Sequence, residues 1–252
     1  MEATEVCLFM FSICLFGTLL YSNASPLRVL GLPRTGRSVL MGAAVAMTTF
    51  LIIRSPFGRR SGAHLNPAIT LTYFWLGRIP RWDALSYGVS QFSGALGGVF
   101  IARLILGTRL SGAPVRYVVT TPPMYRTFAA LLAEFLLSMF LMGVILLASN
   151  HRCLARFTPL IVALLTVFYY VLSTSLSGFS VNPARSFASA MFAWIWQGIW
   201  IYFLAPSLGM LTAAAVYVHT MGADRVYCAK VFHDQRTTCP FPCKFNQICQ
   251  TR

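Results

Sequence analysis

An eight-residue phrase occurs twice in this chain. Ser61-Gly62-Ala63-His64-Leu65-Asn66-Pro67-Ala68 returns as Ser177-Gly178-Phe179-Ser180-Val181-Asn182-Pro183-Ala184. Ser-Gly, three free positions and Asn-Pro-Ala keep the same register in both. Proline has no backbone N–H and a φ near −65°, which suits the first position of a helix. Asparagine just before it is a preferred N-cap. Each copy therefore marks a helix start. The stretches that follow, Asn66 to Trp75 and Asn182 to Phe192, are apolar but short. Crossing a bilayer takes roughly 20 residues, so both read as re-entrant half-helices.

Six other apolar runs are long enough to span: about 4–21, 37–54, 84–106, 128–149, 157–176 and 196–218. The charged residues lie mostly between them. The chain is 57% hydrophobic and 10% charged, against about 25% charged in an ordinary soluble domain. A soluble fold of this size is excluded. The first run follows Glu2 and Glu5, with no basic stretch before it and no small-residue cleavage site after it. It reads as a membrane helix and not as a cleaved leader. Each half holds three spans, with a short piece between the second and third. Three is odd, so the second half inserts upside down, and a functional site is expected where the repeats meet. The expected fold is an all-α membrane protein with six transmembrane helices plus two re-entrant half-helices in an inverted 3+3 repeat. A channel-like domain covers 1–222, with halves of about 1–110 and 127–222. A tail covers 223–252.

The net charge is +14. No aromatic-interleaved basic stripe points to nucleic acid. The charge reads as loops facing anionic lipid and setting topology. With both ends inside, twelve Lys and Arg fall on the inner side and seven on the outer. That balance places both termini in the cytoplasm.

Two half-helices entering from opposite faces bring two N-termini together. Each carries about half a positive charge, which repels cations. Asn66 and Asn182 each offer side-chain N–H donors there. Gly62, Ala63 and His64, with Gly178, Phe179 and Ser180, offer backbone carbonyls on the approaches. Donors at the centre and acceptors on either side make a lane for small neutral hydrogen-bonding molecules. Arg185 lies in the first turn of the second half-helix, and an arginine at membrane depth is a functional candidate. The competing reading is an arginine that snorkels to the headgroups. Glu5 and Glu134 are intramembrane carboxylates. They read as acceptors bracing the free N–H groups of the re-entrant loops; a proton relay is the other reading. No nucleophile–base pair, phosphate loop or paired carboxylates suggest an enzyme.

Over about residues 1–220, the doubled motif resembles the aquaporin (major intrinsic protein) family, and a bacterial-type water channel within it. The resemblance implies a homotetramer in the plasma (inner) membrane, with a passive pore for water in each protomer that excludes protons and ions. No cofactor is required. It assigns a selectivity filter to Ala46, Tyr170, Phe179 and Arg185, with Met47 replacing Ala46 if the alignment slips by one. It also makes His64 a loop brace. This quartet departs from the family's water pattern, which has a bulky aromatic at the Ala46 position and a histidine at the Tyr170 position. It also lacks the second-helix tryptophan of glycerol channels. Ser186, Ile69 and the Tyr202-Phe203 pair resemble the water branch. Water, glycerol and other small neutral solutes stay open as permeants.

After Arg225 the sequence turns polar and gathers Cys228, His233, Cys239, Cys243 and Cys249. In a reducing cytoplasm such a cluster suggests a metal before disulfides. Four of the five suffice for tetrahedral zinc or another transition metal. A disordered tail and a disulfide knot are the alternatives.

Overall fold

The computed structural model describes residues 1–123, 125–173, 176–233 and 239–246. Its helices are α1 (Glu2–Tyr21), α2 (Arg34–Arg54), α3 (Pro56–Ser61), α4 (Pro67–Trp75), α5 (Arg81–Leu106), α6 (Thr108–Ser111), α7 (Thr127–Ser149), α8 (Thr158–Ser173), α9 (Pro183–Ala193) and α10 (Ile199–Met221). Among the described residues there is no strand. Six helices are long and apolar enough to cross a membrane: α1, α2, α5, α7, α8 with the turn before it, and α10. The half-helices α4 and α9 have 9 and 11 residues. At 1.5 Å per residue they reach about 14 and 17 Å, half a bilayer.

Packing repeats between the halves. α1 lies on α5 and α2, and α7 lies on α10 and α8. α5 reaches across to α9 as α10 reaches to α4. α2 packs on its counterpart α8, and α4 touches α9. The inverted 3+3 arrangement is therefore visible in the contacts themselves.

Lipid gives helices no hydrophobic reason to associate, so they approach through small residues. A Cβ on Gly94 or Gly98 of α5 would stand 2.2 Å from the carbonyl oxygen of Ala3 or 2.4 Å from that of Cys7, in α1. A Cβ on Gly209 of α10 would stand 2.3 Å from the Phe135 carbonyl of α7. Gly94 and Gly209 are equivalent positions of the two halves. The outer surface stays apolar, with Leu104, Ile105, Phe128 and Phe168 all more than half exposed.

An even number of spans brings both ends to one face, called here the terminal face. Beyond α10 the chain turns through Ala223–Arg225 and folds back onto the helices. Val226, Ala229, Lys230 and Val231 are at most 2% exposed. The polar composition of the tail gave no sign of this burial.

Candidate functional site

Asn66 and Asn182 cap the half-helices with their side chains. Asn66 Oδ1 accepts from Ala68 N at 2.9 Å. Asn182 Oδ1 accepts from Ala184 N at 3.1 Å and Arg185 N at 3.3 Å. Their amides then cross between halves. Asn66 Nδ2 donates to Val181 O at 2.7 Å, and Asn182 Nδ2 donates to Leu65 O at 2.9 Å. An amide carries two N–H groups, so one of each remains for the cavity both residues line.

The backbone before each cap is strained in the same way. φ is positive at Gly62 (98°), Ala63 (52°) and Leu65 (58°), and at Gly178 (81°), Phe179 (50°) and Val181 (48°). Non-glycine residues in this region cost about 1–3 kcal/mol each and persist only when their surroundings hold them. The holding groups are serine and tyrosine hydroxyls. Ser61 Oγ accepts from Ala63 N, and Ser177 Oγ accepts from Phe179 N. Tyr87 OH donates to Ser61 O, and Tyr202 OH donates to Ser177 O. The recurring Ser-Gly thus has a cause: glycine admits the first left-handed step, and serine ties the next residue.

Carboxylates complete the bracing, and here the halves differ. Glu134 takes Ser177 Oγ at 2.6 Å, Ser180 N at 2.9 Å and Val181 N at 2.7 Å. In the first half, among the described residues, Glu5 takes only Ser61 Oγ, at 2.7 Å. Glu2 receives the backbone, from His64 N and Leu65 N, both at 2.9 Å. Gln91 Nε2 also donates to Glu2, at 2.8 Å. Glu2 is the residue the sequence reading missed. The available signal was an acid three positions before Glu5, on the same helical face.

The crossed amides open onto a cavity of about 90 Å³. Residues 63–66 and 179–182 line it. Tyr170 and Arg185 line both this passage and a wider cavity of about 270 Å³ on the opposite face, which also touches Met41 and Gly178. They are therefore the neck between the two. Arg185 is 4% exposed, and its Nη1 has no partner among the described residues. Phe179 stands edge-on to Tyr170, with ring centroids 4.8 Å apart. Ser186 is tied into the wall, its Oγ 2.7 Å from Thr120 Oγ1.

Two expected site residues lie off the passage. Ala46 is buried but lines neither cavity, and Met47 is 58% exposed. The wall of α2 is Val45, Thr49 and Ile53, with Met41 on the wider side. One residue along a helix turns a side chain by about 100°, so counting back from a motif misses the face. Gly62 does not line the passage either; its carbonyl accepts from Val231 N at 3.0 Å.

That donor belongs to the tail. His64 Nε2 lies 2.7 Å from Ala229 O. A carbonyl only accepts, so Nε2 carries the hydrogen, and the neutral ring accepts at Nδ1 from Thr70 Oγ1 at 3.0 Å. Above these contacts, Cys228, His233, Cys239 and Cys243 present ligand atoms all within 4.8 Å of one another. Cys249 lies outside the described residues. Cys228 and Cys239 have their sulfurs 3.4 Å apart. That hydrogen bond holds the Cys239 thiol down to about 4 and, with burial, pushes the Cys228 thiol up. His233 Nε2 is 3.1 Å from Cys243 Sγ, and its ring stacks on Phe245 at 4.2 Å.

Spanning helices around a doubly capped, necked passage define a membrane channel. The chain matches the family model described as Major intrinsic protein over residues 3–217. It is 31% identical over 199 residues to aquaporin Z of Bradyrhizobium diazoefficiens, covering 74% of this chain and 79% of that one. It is 31% identical over 185 residues to aquaporin NIP2-2 of Zea mays, covering 73% of this chain and 59% of the maize protein. The fold matches the X-ray structure of the aquaglyceroporin from Plasmodium falciparum, with a TM-score of 0.70 at 21% identity, over 88% of this chain and 96% of that one. The protein belongs to the major intrinsic protein family, whose members are multi-pass membrane channels and not enzymes.

Proposed function

We propose that the protein is a passive channel for water that excludes ions and protons. The observation that carries this reading is the neck. A passage of about 90 Å³ holds a short file of water, about three molecules at about 30 Å³ each. At its narrow end Tyr170, Phe179 and Arg185 converge, and Arg185 Nη1 offers an unused donor. Val45 replaces Ala46 as the α2 member of this filter. At its middle two helix N-termini and two amide donors meet. A cation there faces positive dipole ends. A proton hopping along the file would need a water that both donates and accepts at the centre, where the protein offers only donors. Carbonyls of residues 63–65 and 179–181 replace hydration on the approaches.

Glycerol is the second reading. The edge-on pair Tyr170 and Phe179 gives a carbon backbone an apolar wall, and the structural neighbour is named an aquaglyceroporin. Ser186, held by Thr120, favours water by its likeness to the water branch. Reconstituted vesicles under an osmotic step decide it: fast shrinkage with slow glycerol entry supports water, and equal rates support glycerol. The excess of Lys and Arg on the terminal face supports cytoplasmic termini, and likeness to a bacterial aquaporin supports the plasma membrane. Family likeness supports a homotetramer, which the mass of the purified complex tests.

The tail carries a further reading. Cys228, His233, Cys239 and Cys243 bind a metal ion, because four soft or borderline donors converge within 4.8 Å. Elemental analysis of the purified chain tests it.

A further inference from the structure

Two loops of the tail are bounded by these four ligands. Cys228 and His233 bracket the first, which carries Ala229, Lys230 and Val231. Cys239 and Cys243 bracket the second, which carries Phe241. The first loop reaches the passage itself on the terminal face, and the second packs behind it on His64 and Tyr87. Val231 is 2% exposed and lines the same cavity as Asn66 and Asn182. Its N–H donates to the Gly62 carbonyl at 3.0 Å. Phe241 stacks on His64 with centroids 5.8 Å apart, and lies 5.9 Å from Tyr87. The seat is tight. A Cβ on Gly62 would stand 3.1 Å from the Phe241 ring and 3.2 Å from Lys230 Cγ.

The seat is also costly to fill. Lys230 is 1% exposed, with its Nζ donating to the Arg59 carbonyl. A buried ammonium bonded to a neutral carbonyl loses solvation that one hydrogen bond does not restore. Ordering two short loops adds conformational entropy to that cost. A metal offsets both, since binding energy at a site absent from the unfolded tail becomes folding energy.

The donor set points to one ion. Three cysteines and one histidine are a closed structural zinc set. Zinc–sulfur bonds of about 2.3 Å in a tetrahedron put sulfurs about 3.8 Å apart. The Cys228 and Cys239 sulfurs stand at 3.4 Å, and no ligand pair exceeds 4.8 Å. Closing around an ion needs shifts of about 1 Å or less.

We infer that residues 228–233 and 239–243 form a zinc-closed cap that seats Val231 in the terminal mouth, with Phe241 packed behind it on His64, and shuts the channel while the metal is bound. The inference rests on both the channel and the metal readings above. The full chain is purified and divided into zinc-loaded and chelator-stripped samples. Each is reconstituted, and zinc content and water flux are measured. Cobalt substitution reports the ligand set by its thiolate absorption, independently of flux. The expected result is one zinc per chain, a cobalt spectrum of three thiolates, and water flux about tenfold higher after stripping, as a population moves from mostly capped to mostly open.

Val231→Gly and Phe241→Ala leave the ligands in place. They should keep the zinc and raise the flux of the loaded protein, so the inference does not depend on a cysteine variant folding. Equal flux in loaded and stripped vesicles, both above empty ones, overturns the cap and leaves the channel reading standing. Flux equal to empty vesicles in every sample and variant overturns the channel reading, and the cap with it. No bound zinc, or a Cys228–Cys239 disulfide found by mass, overturns the metal site.

Discussion

The two copies of the repeated phrase share a backbone and differ in their surroundings. Left-handed steps, serine ties, asparagine caps and crossed amides are the same in both. These features hold strained carbonyls and two helix dipoles against one point. Three things differ. The second copy hangs on one carboxylate, Glu134, and the first on two, Glu2 and Glu5. Three residues after the asparagine stands Ile69 in the first copy and Arg185 in the second. The first copy meets the tail, and the second borders a cavity of about 270 Å³. On the proposed reading the shared parts build the barrier, and the unshared parts decide what enters and from which mouth.

The carboxylates are the first place to break this comparison. Glu134→Ala leaves three buried donors without an acceptor. At about 1–3 kcal/mol each, the loss is about 3–9 kcal/mol, enough to abolish folding. Glu5→Ala removes one such bond and should leave folded protein with a lowered melting temperature. Yield of monodisperse protein in detergent compares the two. Equal losses would mean that the first copy is not braced by a divided pair.

The matched pair Arg185 and Ile69 sharpens the filter side. Arg185→Ala removes a charged donor from the neck, where such a bond is worth about 1.5–3 kcal/mol. Glycerol entry should rise about tenfold or more, and Ile69→Ala should leave selectivity as it was. Solute-specific swelling reads both. If the two variants behave alike, the neck is not where solutes are chosen.

The smallest effect belongs to the tail side. His64→Ala loses the Ala229 bond and the Phe241 stack. At about 1 kcal/mol for the hydrogen bond, flux through the zinc-loaded chain should rise about fivefold. Met41→Ala, on the wider cavity of the opposite face, should not change the response to zinc. Stopped-flow light scattering on loaded and stripped vesicles separates them.

Much of this frame was legible in the sequence because it rests on local chemistry. Proline and asparagine announce a helix start wherever they stand, and apolar runs announce spans by length. The inverted plan followed from an odd span count. Side-chain facing was not legible. Ala46 and Val45 are neighbours in sequence but lie on different sides of α2, and no count from Asn66 distinguishes them. Glu2 and Glu5 share a helical face, so only the depth of the loop decides which one receives the backbone. The tail's cluster was legible as a cysteine and histidine pattern. Where Val231 and Phe241 point was not, because their seat is built by Gly62, His64 and Tyr87, far away in the chain.

Water and glycerol flux, measured in the same vesicles through the zinc-stripped full chain, test the central claim most directly. Water flux well above that of empty vesicles, with glycerol flux no faster than theirs, is the predicted result. Glycerol passing as readily as water, or neither exceeding empty vesicles, would contradict it.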